Sequence, residues 1–264
     1  MSTESPQQSV RYGMVIDLDK CTGCGNCAVA CHMENNVPFR TDESDKSRNM
    51  AWLRIYKVKN GAEYPHARVA YIPRPCMQCD RHTPCVSVCP ASATNYDKST
   101  GLVDQINTRC IGCRYCMAAC PYMVRCFNWW DPAWPADAEK YLNPDVAPRM
   151  RGVVEKCTFC SHRYIQAKNR ARQEGRNYLE KGDYIPACVE ACPVEAMHFG
   201  DLNDPEYEVA HLIKSPRAFR LLERLHTEPK VYYLSSHEWV RRWADNDAVN
   251  TQSAYSQQRQ GVES

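Results

Sequence analysis

Ordinary core formers are scarce in this sequence: Leu, Ile, Val and Phe supply 44 of 264 residues, about 17%. A typical globular interior uses more, so something besides side-chain packing must hold the chain together. Long apolar runs are missing too. No stretch reaches the roughly 18 apolar residues that a membrane-crossing helix requires. Charge of one sign is not in excess, with 33 Lys and Arg against 31 Asp and Glu. That balance lacks the high net charge of a disordered chain, and no nucleic-acid partner is expected. Glycine is sparse at 11 residues, and neither GxGxxG nor a Walker loop occurs, so flavin and nucleotide sites are not indicated. Ser, His and Asp do not combine in a nucleophile motif, and no residue is expected to make or break bonds. The opening MSTESPQQSVR lacks the order of a secretory leader, and Arg241-Arg242 lies at the wrong end for an export address. Passage out of the cytoplasm is therefore expected to need a partner.

What the sequence has instead is cysteine. All 17 fall between residues 21 and 192, and sixteen form four quartets. These are Cys21, Cys24, Cys27 and Cys31; Cys76, Cys79, Cys85 and Cys89; Cys110, Cys113, Cys116 and Cys120; and Cys157, Cys160, Cys188 and Cys192. The first and third share the spacing CxxCxxCxxxC. The second widens one gap, and the fourth splits open between Cys160 and Cys188. A segment of strand character introduces each quartet, at 14–18, 69–72, 101–106 and 152–154. Gly23, Gly25 and Gly112 can take positive φ and turn backbone N–H groups towards a bound group. Cys27 to Cys31 and Cys116 to Cys120 read as single helical turns over small residues, and Pro90, Pro121 and Pro193 end such turns.

Three chemistries compete for so many thiols. Small secreted disulfide domains do not repeat CxxCxxCxxxCP, and closely spaced thiols on one loop cannot all pair well. Structural zinc takes two CxxC knuckles separated by a spacer, whereas here three cysteines crowd one loop. A cubane iron-sulfur cluster fits, because CxxCxxC wraps three corners and the fourth thiolate, one helical turn on and before Pro, reaches a neighbouring cluster. Filled clusters of this kind serve electron transfer. A purely structural multi-zinc scaffold remains the contrasting class, which metal analysis separates.

The four quartets resemble the four-cluster, ferredoxin-like electron-transfer subunit of the complex iron-sulfur molybdoenzyme family, typified by dimethyl sulfoxide, polysulfide and nitrate reductases. The resemblance covers residues 11 to about 205 and implies an α+β fold of two bacterial-ferredoxin-like modules, each binding two clusters, with long loop insertions and a C-terminal extension. By that resemblance the first and fourth motifs form module 1 (11–31 plus 152–205), and the second and third form module 2 (69–126). Carried over, Cys21, Cys24, Cys27 and Cys192 hold one cluster, and Cys157, Cys160, Cys188 and Cys31 the next. Module 2 would use Cys76, Cys79 and Cys85 with Cys120, and Cys110, Cys113 and Cys116 with Cys89. Some members replace a third-motif cysteine with Trp and hold a three-iron cluster. Cys113 is intact, so four [4Fe-4S] clusters are expected. The departure is the five-residue gap between Cys79 and Cys85, which makes module 2 the place for any [3Fe-4S] cluster. RPCMQC, CIGCRYCMAACPY, FNWWDPAWPA, RGVVEKCTFC and FRLLERLHTEPKVYYLSSHEWVRR look like the menaquinone-reductase branch, and less closely like alternative complex III. That implies a molybdopterin-fold subunit, a multihaem cytochrome c and a quinone-binding integral membrane subunit as partners. It also implies a peripheral position on the cytoplasmic membrane, at the periplasmic face rather than the cytoplasmic one. A polysulfide, tetrathionate, arsenate or dimethyl sulfoxide reductase subunit is the alternative.

The remaining segments are the insertions 32–68 and 127–151, a docking extension 206–245 and a disordered tail 246–264. Residues 40–46 are polar and charged, whereas Trp129, Trp130 and Trp134 sit in a proline-rich loop suited either to docking a partner or to covering a small core. The stretch from Ser161 to Ala187 offers a basic face. Ser215-Pro216 is expected to cap a helix carrying Phe219, Leu222 and Leu225, Val231 to Leu234 to form a strand, and Ser235 with Glu238 to make a capping box. Cys126 is expected to be a buried spare thiol, and His32, His82, His162 and His198 to be packed or solvated rather than ligating. Lys20, Arg109, Arg114, Lys156 and Arg163 neighbour the cysteines, where positive charge favours the reduced state of a cluster.

Overall fold

Residues 10–39 and 50–245 are described by the computed structural model. The expectations for residues 1–9, 40–46 and 246–264 lie outside them. The first half of the chain runs β1 (Tyr12–Asp17), α1 (Asn26–Glu34), β2 (Arg54–Lys59), β3 (Val69–Arg74), α2 (Pro84–Ser87), β4 (Thr94–Tyr96), β5 (Val103–Gln105), α3 (Tyr115–Ala118) and β6 (Cys126–Phe127). Then come β7 (Val154–Glu155), α4 (Ser161–Gln173), α5 (Ala187–Glu190), β8 (Met197–Asp201), α6 (Glu208–Leu212), β9 (Ala218–Phe219) and β10 (Val231–Leu234). Residues 238–245 form a last helix, α7. Short strands and helices alternate with loops, an α+β arrangement in which each cysteine quartet follows a strand.

The four strands expected before the quartets appear as β1, β3, β5 and β7, with shifted ends. β1 is buried at all six positions. It lies inside a four-stranded sheet ordered β8-β1-β10-β9, with Met14 opposite Phe199 in antiparallel β8 and opposite Val231 in parallel β10. The strand entering the first quartet is thus bonded to the strand leaving the fourth. Three two-stranded ladders, β2-β3, β4-β5 and β6-β7, carry the rest. The insertion after the first quartet is not all loop, since β2 pairs with β3 from Arg54 opposite Arg74 to Lys59 opposite Val69.

The aliphatic deficit is met in two ways. Met14, Ile16, Leu221, Val231 and Tyr233 are fully buried and belong to one cluster with Cys27, Cys31, Cys76, Cys157 and Cys188. In the same cluster Tyr12 and Tyr184 contact each other and Phe199, which packs against it, with ring centroids 5.0 to 5.6 Å apart. Such pairs add about 0.5–1.5 kcal/mol each beyond area burial.

Beyond residue 206 the sequence expectation needs correcting. The helix there is α6, before Ser215; Phe219 instead sits in β9 opposite Tyr233, and Leu222 takes a left-handed conformation at φ 51°. Strand pairing at Phe219 and the left-handed Leu222 exclude a continuous helix here, and Leu221 and Leu222 are both buried. Ser235 does not close a capping box either. Its hydroxyl donates to Asp19 and accepts from the His237 amide, and α7 begins only at 238. The extension is also more than a docking surface, because β10 is an inner strand of the sheet.

Candidate metal centres

The cysteine loops repeat a backbone conformation that their side chains do not advertise. The third residue of the first CxxC in every quartet is left-handed: Gly23 at φ 72°, Gln78 at 48°, Gly112 at 72° and Phe159 at 56°. This turns the amide towards the first sulfur, and the Phe159 N–H donates to Cys157 Sγ at 3.4 Å. At Gly23 and Gly112 a side chain would also collide. A Cβ at Gly23 would lie 2.4 Å from the Tyr71 ring, and one at Gly112 2.3 Å from the Gly152 carbonyl oxygen. The CP loops repeat as well. Ser92, Met123 and Glu195, three residues after Cys89, Cys120 and Cys192, are left-handed. The next amide then points back at sulfur, from Ala93 to Cys89 at 3.2 Å, from Ala196 to Cys192 at 3.3 Å, and from Val124 to Cys120. Cys31 has no following proline, so α1 runs on to Glu34. There the side-chain amide of Asn35, four residues on, reaches Cys31 Sγ at 3.8 Å and Cys160 Sγ at 3.7 Å.

Every gathering of thiols draws on two quartets. Cys21, Cys24, Cys27 and Cys192 line one cavity. Cys89, Cys110, Cys113 and Cys116 line another. Cys31 has Cys157, Cys160 and Cys188 as neighbours, and Cys79 has Cys76, Cys120 and Cys85. The groups also lie near one another in series. Cys188 and Cys31 face Cys27, Cys157 faces Cys76, and Cys116 faces Cys85. Cys24 and Cys113 are exposed at the two ends, whereas Cys31, Cys157, Cys160 and Cys188 are buried.

This donor set suits an anionic metal-sulfur cage. Burial pushes the Cys27, Cys79 and Cys157 thiols up to about 12, and Cys31 and Cys188 well above the ordinary thiol value. A thiolate there needs cations of its own to be stable. Cys89 is the contrast: desolvation acts upwards, but amides of Thr94, Ala93 and Ala91 outweigh it and hold the thiol below its usual range. All seventeen cysteines are free of disulfides. Among the described residues no three His, Cys, Asp or Glu side chains converge as a single ion would require.

The second-motif gap is absorbed by a loop pinned to the C-terminal region. The Asp80 amide donates to the Thr227 and Glu228 carbonyls, and its carboxylate accepts from Tyr96 at 2.6 Å and from Lys230 at 3.3 Å. At the junction of Cys157 with Cys76, buried Gln78 donates to the Cys157 carbonyl at 3.1 Å and accepts from the Val103 amide at 2.7 Å. Lys156 is buried there too, donating to the Val103 and Cys157 carbonyls.

The other cations expected to matter are placed differently. Lys20, Arg109 and Arg114 are exposed, and Arg114 stacks on Trp129 with its guanidinium 4.7 Å from the ring centroid. Arg163 is neutralised by Glu34 at 2.6 Å and Glu190 at 2.7 Å. The cation missed in the sequence is Arg125, buried beside Cys85, Cys116 and Cys76. Its only linear signal is a place five residues after Cys120, in the CPYMVRC stretch. Cys126 is buried outside the quartets and donates to the Ala51 carbonyl at 3.3 Å. His82 is exposed, His162 and His198 bond Glu34 and Glu208, and His32 packs on Phe39.

Thiol groups shared between strand-loop-helix units and ringed by N–H donors define a ferredoxin-like dicluster protein. Two profiles of a 4Fe-4S dicluster domain match the chain, over residues 20–93 and 67–135. The menaquinone reductase iron-sulfur cluster-binding subunit of Nitratidesulfovibrio vulgaris is 58% identical over 239 residues, 90% of this chain and 93% of that protein. The Hdr-like menaquinol oxidoreductase iron-sulfur subunit 1 of Archaeoglobus fulgidus is 38% identical, covering 88% of this chain and 86% of its own length. The arsenate respiratory reductase iron-sulfur subunit of Shewanella is 38% identical over 86% of this chain and 97% of that protein. The chain belongs to this family of electron-transfer iron-sulfur subunits of reductase complexes, and its two dicluster domains carry four 4Fe-4S clusters. It works beside catalytic and membrane partners. No helix among the described residues is long and apolar enough to cross a membrane.

Proposed function

We propose that this chain conducts electrons through four clusters within a menaquinone-reductase type of complex. The observation that carries the reading is the series of thiol neighbours from exposed Cys24 through Cys27, Cys31, Cys157, Cys76, Cys79, Cys85 and Cys116 to Cys110, which shares a cavity with exposed Cys113. In this reading Cys21, Cys24, Cys27 and Cys192 hold the first cluster, and Cys31, Cys157, Cys160 and Cys188 the second. Cys76, Cys79, Cys85 and Cys120 hold the third, and Cys89, Cys110, Cys113 and Cys116 the fourth. Residues 11–31 with 152–205 act as one module and 69–126 as the other. All four clusters are cubanes, because the Asp80 loop leaves Cys79 and Cys85 near Cys76 despite the longer gap.

When bound, such clusters supply one-electron carriers. The chain's own residues hold them with thiolates, steady the sulfurs with the left-handed loops, and lock the module junction through Gln78 and Lys156. Electrons arrive at the first module from a molybdopterin-fold subunit served by a multihaem cytochrome c. They leave from the second, near Cys113, towards a quinone-binding membrane subunit at the periplasmic face. Exposed Ile111 and Tyr115, two residues either side of Cys113 in the chain, suit an apolar partner surface.

Anaerobic purification of the native complex tests this. The expected result is a cytochrome-bearing complex that reduces a menaquinone analogue, with four paramagnetic cluster signals on this chain. The 38% relative from an arsenate reductase favours one alternative, an oxyanion reductase. A complex that reduces arsenate and leaves the quinone analogue untouched decides for that reading.

A further inference from the structure

Arg125 is a buried cation with no carboxylate partner among the described residues. It lies between α3 and β6 with a relative exposure of 5%. Its Nη1 donates to Gln105 Oε1 at 3.0 Å and Thr94 Oγ1 at 3.3 Å, and Thr94 in turn donates to Gln105 at 2.9 Å. Both partners are neutral. Among the described residues no carboxylate pairs with this guanidinium, whereas Arg163, Arg149 and Lys230 each have one. Nη2 is buried with no hydrogen-bond partner. The side chain faces Cys85 and Cys116, with Cys76 next. By the ligand reading above, Cys76 and Cys85 belong to the third cluster and Cys116 to the fourth, so one guanidinium stands between two cages.

Burying an unpaired guanidinium is costly, and a buried anion on each side removes that cost. An added electron makes each cage more negative, which strengthens its attraction to a fixed positive charge. We propose that Arg125 is a positioning residue for electron transfer in module 2: its one guanidinium, clamped by Thr94 and Gln105, raises the reduction potentials of the third and fourth clusters together. Nη2 is the donor left for cluster or thiolate sulfur.

This inference rests on the proposed ligand sets, and the test separates the two. Potentiometric titration followed by electron paramagnetic resonance is run on the purified complex as wild type, Arg125→Gln and Arg125→Lys, with iron and sulfide counted on each. Fewer than four clusters in the wild type sinks the ligand reading whatever Arg125 does. Given four, Arg125→Gln is expected to weaken reduction of two clusters at least tenfold each, a fall of about 59 mV or more for a one-electron couple. The other two clusters stay unchanged, and Arg125→Lys keeps most of the wild-type potentials. No shift, a shift of one cluster alone or equal shifts of all four overturn the proposal. If Arg125→Gln loses iron, Arg125→Lys decides. Four clusters with near-wild-type potentials support the charge role; loss of iron, or potentials lowered as far as a tenfold change, overturns it.

Discussion

Single side chains decide how well each sulfur is held. Asn35 does with a side-chain amide what Ala93, Val124 and Ala196 do with backbone ones, because α1 continues where the other loops turn at proline. Hydrogen bonds to sulfur raise cluster potential. Asn35→Leu should therefore lower one potential only, by up to about tenfold in the reduction equilibrium or about 59 mV. Redox titration checks this, and Asn35→Asp should lower it further. Gly112 is a second such position. Gly112→Ala meets the Gly152 carbonyl and an unfavourable φ, costing at least about 1–3 kcal/mol. Thermal unfolding of the anaerobic protein should show the loss, with early release of the cluster near Cys113. The CxxC spacing made the thiol quartets legible. The partners of their sulfurs were not, since Gln78 and Phe159 share Gly23's conformation without sharing its chemistry.

Among elements, the clasp between α1 and α4 matters most for the buried cluster site. Glu34, at the end of α1, accepts from Arg163 Nε at 2.6 Å and Nη2 at 2.8 Å and bonds His162 at 2.7 Å. These two helices carry Cys31 and flank Cys160. Hydrogen bonds from Arg163 hold the Glu34 carboxyl below its usual range, against the opposing effect of burial. A folded-state value below the unfolded one gives stability that is present above the ordinary carboxylate pKa and lost as pH falls through the depressed value. Glu34→Gln should thus be less stable than wild type at neutral pH, by about 1–3 kcal/mol for a charge-assisted hydrogen bond. The gap should close in acid, as followed by thermal unfolding against pH. The strands before each quartet were legible from β-branched runs. The helix expected after Pro216 was not there, because pairing of Phe219 with Tyr233 and the left-handed turn at Leu222 outweigh the apolar spacing.

For the whole molecule, cysteine sulfur occupies positions that aliphatic side chains fill elsewhere. Cys27, Cys31, Cys76, Cys157 and Cys188 lie in the main buried cluster, and their thiols face one another. Holding four clusters converts that facing from repulsion between thiolates into ligation. Anaerobic removal of iron and sulfide should therefore unfold the cysteine region while β1, β8 and β10, packed through Met14, Ile16 and Tyr233, keep residual structure. Circular dichroism and hydrogen exchange before and after chelation test this; an unchanged exchange pattern would count against metal as the mainstay. The sequence by itself determined the number of thiol quartets, their iron-sulfur chemistry and the strand before each, because those follow from local spacing and short-range backbone preference. Only the tertiary structure decided that β10 completes the first sheet and that Arg125 sits between two thiol groups. Those are contacts between residues far apart in the chain, and nothing in local spacing records which distant segments will bury one another.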